Sequence, residues 1–401
     1  MNILNFLQHG LLNFSLLQII ITLLIATQIT ILAVTLYLHR DQTHKGLKLH
    51  PVIQHFFRFQ LWMTTGMLTK DWVAIHRKHH ATCETKDDPH SPQFHGIKTV
   101  LYSGVELYTI ERHKQQTLDK YGKGTPNDWL ERNIYTKFHF LGIALMFLID
   151  VALFGAIGIT FWAIQIIWIP FFAAGVINGL GHWSGYRNYS TNDCSTNLTR
   201  FGVIIGGEEL HNNHHAFPSS CKFSHTKGEY DWGWFVIRAL NAVGLAKINK
   251  TVPILEQRNN QSDSENTVDL EAVKAMLTHK VNLLQVYVKD VIKPAISEEY
   301  DLRSQQFKKS SDKFLNSMSI DWRFLDDEAR EIFKQYINTS PTIETIIKYR
   351  DELKEIWEAK GKSTDQMIEA VREWCQKAEK SGVEVLQVYA KKLQTYRLKT
   401  V

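Results

Sequence analysis

Hydrophobic positions are spread unevenly along this chain of 401 residues. The stretch LLNFSLLQIIITLLIATQITILAVTLYL (11–38) contains no charged side chain. At about 1.5 Å per residue it makes a helix of roughly 42 Å, longer than a hydrocarbon core of about 30 Å but too short for two crossings. It reads as one membrane span whose last turns project beyond the bilayer. A cleaved signal peptide fits poorly, because residues 1–10 hold no Lys or Arg and the apolar run is too long. A second apolar region, FHFLGIALMFLIDVALFGAIGITFWAIQIIWIPFFAAGVINGLGHW (138–183), is divided by Gly155 and Gly158 and reads as a helical hairpin that crosses and returns. Asp150 is its only acid and is expected to be hydrogen-bonded across the hairpin; Pro170 is expected to bend the return helix.

A third segment, PVIQHFFRFQLWMTTGMLTKDW (51–72), is apolar enough to pass for another span, although Arg58 interrupts it. Lys and Arg placement sets the orientation. None precedes residue 40, whereas Arg40, Lys45, Lys48, Lys70, Arg77 and Lys78 follow the first span closely. By the positive-inside rule the N-terminus lies outside and the polar segments face the cytoplasm.

The mean hydropathy of −0.21 averages two unlike parts. Residues 251–401 carry 24 Lys and Arg against 25 Asp and Glu, a charge-dense and nearly balanced composition, while residues 1–250 carry 22 against 16. Of the 18 histidines, 17 fall in the first 250 residues, and only His279 lies beyond. The chemistry is therefore assigned to 1–250. The four cysteines, Cys83, Cys194, Cys221 and Cys375, form no CxxC pair, which argues against a disulfide scaffold or a zinc ribbon. Cys83 lies close behind HRKHHAT and reads as a reduced bystander thiol.

Neutral imidazole is the commonest protein ligand for transition metals. Helical residues at i, i+3 and i+4 share a face, so His76, His79 and His80 in HRKHH form one ligand face, and His211, His214 and His215 in HNNHH another. Asn178 and His182 in NGLGH stand four apart and point the same way. His39 and His44 in HRDQTH are five apart, about 140° around an α-helix, so both reach one centre only if the helix ends between them. Nine histidines in four clusters are too many for one ion and suit two ions of four or five ligands each. A site of imidazoles without thiolate or carboxylate suits iron handling dioxygen better than structural zinc. The scattered His9, His50, His55, His90, His95, His113, His139, His225 and His279 read as ordinary surface or core residues. Convergence also decides the 51–72 segment. Were it to cross the bilayer, His39 and His44 would lie on the opposite side from His76, His79 and His80. It must lie along the interface or dip and return, with Arg58 and Lys70 kept wet. Three crossings result.

HRDQTH, HRKHH and HNNHH resemble the three histidine boxes of the integral-membrane fatty-acyl desaturases, specifically the Δ9 acyl-CoA desaturase (stearoyl-CoA desaturase-like) group. NGLGH resembles the Asn-x-x-x-His element of that group, and DDPHSP (87–92) and GEYDW (228–232) resemble further landmarks of it. The likeness covers roughly residues 15–245. It implies a diiron centre that uses dioxygen and two electrons to insert a cis double bond, at Δ9, into a saturated acyl chain carried on CoA or phospholipid. By the same resemblance His39, His44, His76, His79, His80, His182, His211, His214 and His215 are ligands and Asn178 holds a metal-bound water. Trp72 matches an aromatic that shapes the acyl tunnel. The group usually has two spans before its first box, whereas one fits here. No haem-binding module is visible, so electrons are expected from a separate ferredoxin, rubredoxin-like or cytochrome b5-like carrier with its reductase. Arg77, Lys78, Lys70 and Arg112 read mainly as ordinary positive-inside residues, with the anionic head group of the substrate as their other use.

The expected architecture is all-α: about three membrane helices and an interfacial helical segment carry a cytosolic diiron domain (1–250). A helical extension (251–401) follows, behind a linker at QRNNQSDSEN (257–266). In the extension Val268, Leu270, Val273, Leu277, Val281, Leu284, Val288 and Val291 recur at helical spacing. Its net charge of −1 argues against strong nucleic-acid binding; packing on the catalytic face or docking an electron donor are the uses expected of it. The active site is placed on the cytoplasmic face of a bacterial inner membrane. A membrane diiron hydroxylase or alkane monooxygenase, or a non-catalytic metal or electron carrier, are the alternatives. Formation of an alcohol would mark the first, and metal without oxygen-dependent turnover the second.

Overall fold

The computed structural model describes residues 3–189, 191, 193–252, 255–257, 273, 275, 276, 279–300, 340–358 and 363–398. The chain forms two compact units, residues 1–188 with 193–251, and residues 189–192 with 252–401.

In the first unit, Ser15 starts the first long helix. Its hydroxyl accepts from the Gln18 amide while the Gln18 side chain accepts from the Ser15 amide, a capping box that closes both ends of the turn. The helix runs from Leu16 to Leu32, and its outer side chains, Leu16, Leu17, Ile20, Ile21, Leu24 and Ile25, are exposed. A stripe of that size left bare is an apolar-solvent surface. It continues without a break from Ala33 to Thr43, but with the wider i→i+5 hydrogen bonds of a π-helix, and every residue there is buried. The sequence expectation that the helix stops between His39 and His44 is thereby corrected. The His44 amide donates to the His39 carbonyl at 3.1 Å, so the widened turn, not a helix end, brings residues five apart over one another.

Two described helices, Leu16–Thr43 and Ile157–Leu180, are long and apolar enough to cross a membrane; Leu141–Phe154 is apolar but has 14 residues. Leu141–Phe154 and Ile157–Ile169 form the expected hairpin. Gly155 makes its turn at φ 70°, and a Cβ there would strike the carbonyls of Leu7 and Phe6 on the short helix Ile3–His9. Gln165 Nε2 donates to Asp150 Oδ2 at 2.9 Å, and Trp162 Nε1 to the Ile143 carbonyl at 3.0 Å, so Asp150 is bonded across the hairpin as expected. At Pro170 the return helix also widens into a π-helix, to Leu180, with His182 in the turn beyond. Both long helices thus lose α-geometry where they approach the histidines.

Residues 51–72 are split. Pro51–Thr64 is a helix of 14 residues, about 21 Å long and short of a span. Gly66, at φ 62°, turns the chain into a second helix, Thr69–Thr82. Lys70 is exposed as expected, but Arg58 is not kept wet. Its buried guanidinium donates to both Asp128 oxygens at 2.6 and 2.9 Å and to Glu131 at 2.8 Å, carboxylates that replace the water it gives up.

Short strands fasten the segments around the histidines. Leu47–Leu49, directly after His44, pairs antiparallel with Ala246–Ile248, and Phe201–Gly202 pairs parallel with Tyr230–Asp231. Arg40 ties these together. Its guanidinium, with no side-chain exposure, forks onto Asp231 at 3.0 and 3.1 Å and donates to the Gly206 and Cys221 carbonyls, over the Phe223 ring. Gly207, at φ 100°, leaves no room for a Cβ, which would lie 2.2 Å from Asp231 Oδ1.

The second unit is mostly helical in its described parts and has its own core, in which Val273, Tyr287, Val288, Val291, Trp357, Trp374 and Tyr389 are buried. Leu284 packs against that core, whereas Val268, Leu270 and Leu277 of the expected stripe lie outside the described residues. So do residues 258–266 of the expected linker; Gln257, its first residue, is instead in a strand, Leu255–Gln257, paired with Tyr396–Leu398.

Removing one partner of a fully buried pair strands the other charge. Asp231→Ala is therefore expected to destabilise the first unit by about 3–5 kcal/mol, seen as a lowered thermal midpoint of the detergent-solubilised protein. An unchanged midpoint would remove Arg40 from the fold's supports.

Candidate metal centre

Four separate segments deliver imidazoles to one buried layer. The widened helix Ala33–Thr43 brings His39 and places His44 at its end. Thr69–Thr82 contributes His76, His79 and His80. The turn after Leu180 brings His182, and the short helix His211–Ala216 brings His211, His214 and His215. That last helix has only six residues and is held by its own asparagines. Asn213 Nδ2 donates to Glu229 and to the Phe223 carbonyl, while Asn213 Oδ1 accepts from Asn188 and Asn197.

The rings fall into two touching groups. In the first, one nitrogen from each of His39, His44, His76, His80 and His214 lies within 4.8 Å of all the others. In the second, His79, His182 and His215 gather within the same span, with Cys83 among them. His211 joins through its Nε2, 2.9 Å from His182 Nε2. The two groups meet where the His80 and His215 rings stack at 4.4 Å. All nine predicted histidines are therefore brought together. Trp72 stacks on the His76 ring, centroids 4.9 Å apart, and meets His39 edge-on. Asn178 is half-buried on the second widened helix, and among the described residues no hydrogen bond ties its side chain to the histidines.

Carboxylates orient four of the rings. The Nδ1 atoms of His39, His79, His182 and His215 face Glu208 at 2.8 Å, Asp88 at 3.0 Å, Glu84 at 3.0 Å and Asp193 at 3.0 Å. An Nδ1–H donated outward leaves Nε2 as a bare lone pair facing the centre. Burial alone would raise the carboxyls of Asp88, Asp193 and Glu208, but the histidine beside each outweighs it, and all three sit below the ordinary carboxylate range. Burial, then the crowd of neighbouring rings, holds His44, His76, His80, His211 and His214 well below the ordinary imidazole range. Burial likewise takes His215 down to about 4 despite Asp193. His79 alone is raised, because Asp88 overcomes its burial. His44, His76, His80, His211, His214 and His215 are thus held toward the neutral state, the one that binds metal.

Their mutual contacts cannot be satisfied by hydrogen bonds. His39 Nε2 lies 3.0 Å from His214 Nε2, which lies 2.9 Å from His80 Nε2, which lies 3.1 Å from His76 Nε2. A ring nitrogen offers one proton or one lone pair in a single in-plane direction, so His214 and His80, each with two such neighbours, cannot hydrogen-bond both, whereas lone pairs converging on a cation satisfy the run. His44 Nε2 and His215 Nε2 are buried without a hydrogen-bond partner. The donor set fits metal ions.

The fatty acid desaturase family model matches residues 14–227. The chain belongs to the fatty acid desaturases. It is 30% identical over 224 residues to the Delta-9 acyl-lipid desaturase 1 of Arabidopsis thaliana, covering 54% of this chain and 70% of that protein. It is equally identical to an acyl-CoA 5-desaturase of Anemone leveillei, over 53% of this chain and 65% of the relative. A third relative, the sn-1 stearoyl-lipid 9-desaturase of Anabaena variabilis, is 28% identical over 54% and 77%. All three matches cover about half of this chain. The desaturase is thus an oxidoreductase acting on fatty acyl chains, with histidine clusters that could hold metal and helices able to cross a membrane.

The carboxylates escaped the sequence reading. Asp88 lies in DDPHSP and Glu208 in GGEELH, but nothing in the spacing says which ring each will meet, and Glu208 reaches His39 across 169 residues. The basic residues named for a head group are largely spent inside the desaturase. Arg77 donates to the carbonyls of Gln42, Thr43, Tyr121 and Lys123, Lys78 pairs with Glu111, and Arg112 with Asp71. A cleft of about 410 Å³ beside the first box is instead lined by Lys45, Lys48, Gln42, Gln54, Asn249 and Asp41.

Asp88→Asn is expected to weaken transition-metal binding about 10- to 100-fold, read by chelator competition on the purified protein. Affinity equal to the native protein's would show that His79 needs no such support.

Proposed function

We propose that this desaturase holds two irons and inserts a cis double bond, at Δ9, into a saturated acyl chain carried on CoA or phospholipid, for unsaturated fatty acid synthesis. The observation that carries the proposal is the grouping of the nine rings as five and four, the number two ions require. In this reading His39, His44, His76, His80 and His214 hold one iron, and His79, His182, His211 and His215 the other; Asn178 orients a water at the second. A bound iron pair, with dioxygen and two electrons from a separate carrier and its reductase, supplies the power to remove two hydrogens from adjacent methylenes.

The protein's own part is orientation and exclusion. Methylenes offer no polar handle, so the bond that reacts is selected by how far the chain enters and where it bends. Trp72, flat against His76, walls the first group and is assigned to that bend. Glu208, Asp88, Glu84 and Asp193 keep four Nδ1 protons outward so that the opposite nitrogens stay free. The buried apolar surroundings, Leu36, Tyr37, Val73 and Phe223 among them, keep water from the layer. Lys45 and Lys48 at the neighbouring cleft receive the anionic head group. The active site faces the cytoplasm, at a bacterial inner membrane. The unit beyond residue 251 serves as a cytosolic helical extension that docks the electron donor.

Expression in a host lacking unsaturated fatty acids, followed by mass spectrometry of its lipids, tests the reaction. Monounsaturated chains are expected with the native protein, and none with His79→Ala or His214→Ala, whose bound iron falls in parallel. Hydroxylated chains, or activity retained in either variant, would overturn the assignment. Reversing both charges in Lys45→Glu/Lys48→Glu is expected to raise KM for the acyl substrate with kcat little changed; a KM that stays put would free the cleft of that role.

A further inference from the structure

Where the first long helix becomes fully buried, from Ala33 onward, a second apolar surface takes over beside it. We infer that the turn Phe201–Ile205 and the helix Trp232–Ala242 form a membrane-embedded wedge among the acyl chains of the cytoplasmic leaflet; this rests on the membrane placement proposed above. Phe201, Ile204 and Phe235 are each more than half exposed, and Val203 and Tyr230 about two-fifths. They are contiguous. Phe201 and Tyr230 are partners across the parallel strand pair, and the Trp232 and Phe235 rings stack at 5.3 Å. The opposite face of the helix, with Ile237, Trp234 and Leu240, packs on the core. Arg238 is exposed one turn beyond Phe235, where a long cationic side chain can reach outward to lipid phosphate.

The wedge continues the surface of the first helix. Leu17, Ile21 and Leu24 are exposed at the i, i+4, i+7 spacing of one face, and Gln28 is the next position of that row. Its Nε2 donates to the Ile204 carbonyl at 3.3 Å. A Cβ on Gly206 would lie 2.8 Å from Thr35 and 3.0 Å from Ile31, so the turn lies flat on the helix. Gln28 stands about 18 Å along the helix from Leu16, and a hydrocarbon layer of about 30 Å beginning at Leu16 takes in Ile204 as well. Irregular backbone at that depth must find its partners within the protein. It does so here. The Ile205 and Gly207 amides donate to Glu209 at 2.8 and 3.2 Å, the Val203 amide donates to the Phe201 carbonyl, and the Gly206 carbonyl accepts from Arg40 at 2.9 Å. The chain then runs from this turn straight into the HNNHH helix, so the wedge fixes the depth of the third histidine box.

Spin labels on single added cysteines test the wedge, in the full-length protein reconstituted in phospholipid nanodiscs. The probes are molecular oxygen, which concentrates in hydrocarbon, and a water-soluble nickel chelate; the signal of the labelled native protein is subtracted for its own thiols. Val203→Cys and Phe235→Cys are expected to be relaxed several-fold more by oxygen than by the chelate, as is Ile25→Cys on the first helix. Gln116→Cys, on the exposed face of the helix Gln115–Tyr121, is expected to show the reverse. Val203 and Phe235 are both exposed, so neither substitution removes a core contact. Labels at 203 and 235 that follow Gln116 while Ile25 stays in lipid would overturn the wedge and leave the span intact. Labels shielded from both probes would also overturn it, in favour of a second copy of the chain on this patch. Chelate access at Ile25 would remove the span and the wedge together.

Discussion

Packing neutral imidazoles in a dry layer creates a debt of lone pairs that only a cation can settle. Desolvation holds His76, His80 and His214 well below the ordinary imidazole range, and in a run of Nε2 atoms about 3 Å apart the inner nitrogens cannot hydrogen-bond both neighbours. The rest of the first unit can be understood as what holds such an arrangement in place. Carboxylates fix the outer nitrogens, asparagines fix a helix too short to stand alone, and a forked Arg40–Asp231 pair closes the strands behind the first box.

The two long helices solve a geometric problem in the same way. Each begins as an α-helix with bare apolar side chains, a surface suited to lipid, and each changes to i→i+5 hydrogen bonds as it nears the histidines. The wider turn reorients side chains without ending the helix, so backbone groups stay satisfied where water is scarce. HRDQTH needs this device and HRKHH does not. His76 and His80 meet on an ordinary α-helix, whereas His39 and His44 need the π-turn.

This contrast explains what could be read from the chain. Helical spacing revealed the faces at 76–80 and 211–215, because α-geometry is fixed and local. Asp150 was legible as a bonded acid for the same reason, its partner Gln165 lying on the neighbouring arm of one hairpin. The helix at His39–His44 was misjudged because α-spacing was assumed where the structure has a π-turn. Arg58 was misplaced because Asp128 and Glu131, which make its burial tolerable, lie 70 and 73 residues away. The same holds for Glu208 and Asp193. A residue that supports another across the fold leaves no periodic trace in sequence.

The central claim is that the nine rings serve two metal ions, five on one and four on the other. Anomalous scattering at the iron edge from crystals of the full chain tests it most directly. The account predicts two peaks in each molecule, one among His39, His44, His76, His80 and His214, the other among His79, His182, His211 and His215. A single peak, or iron bound away from these rings, would contradict it.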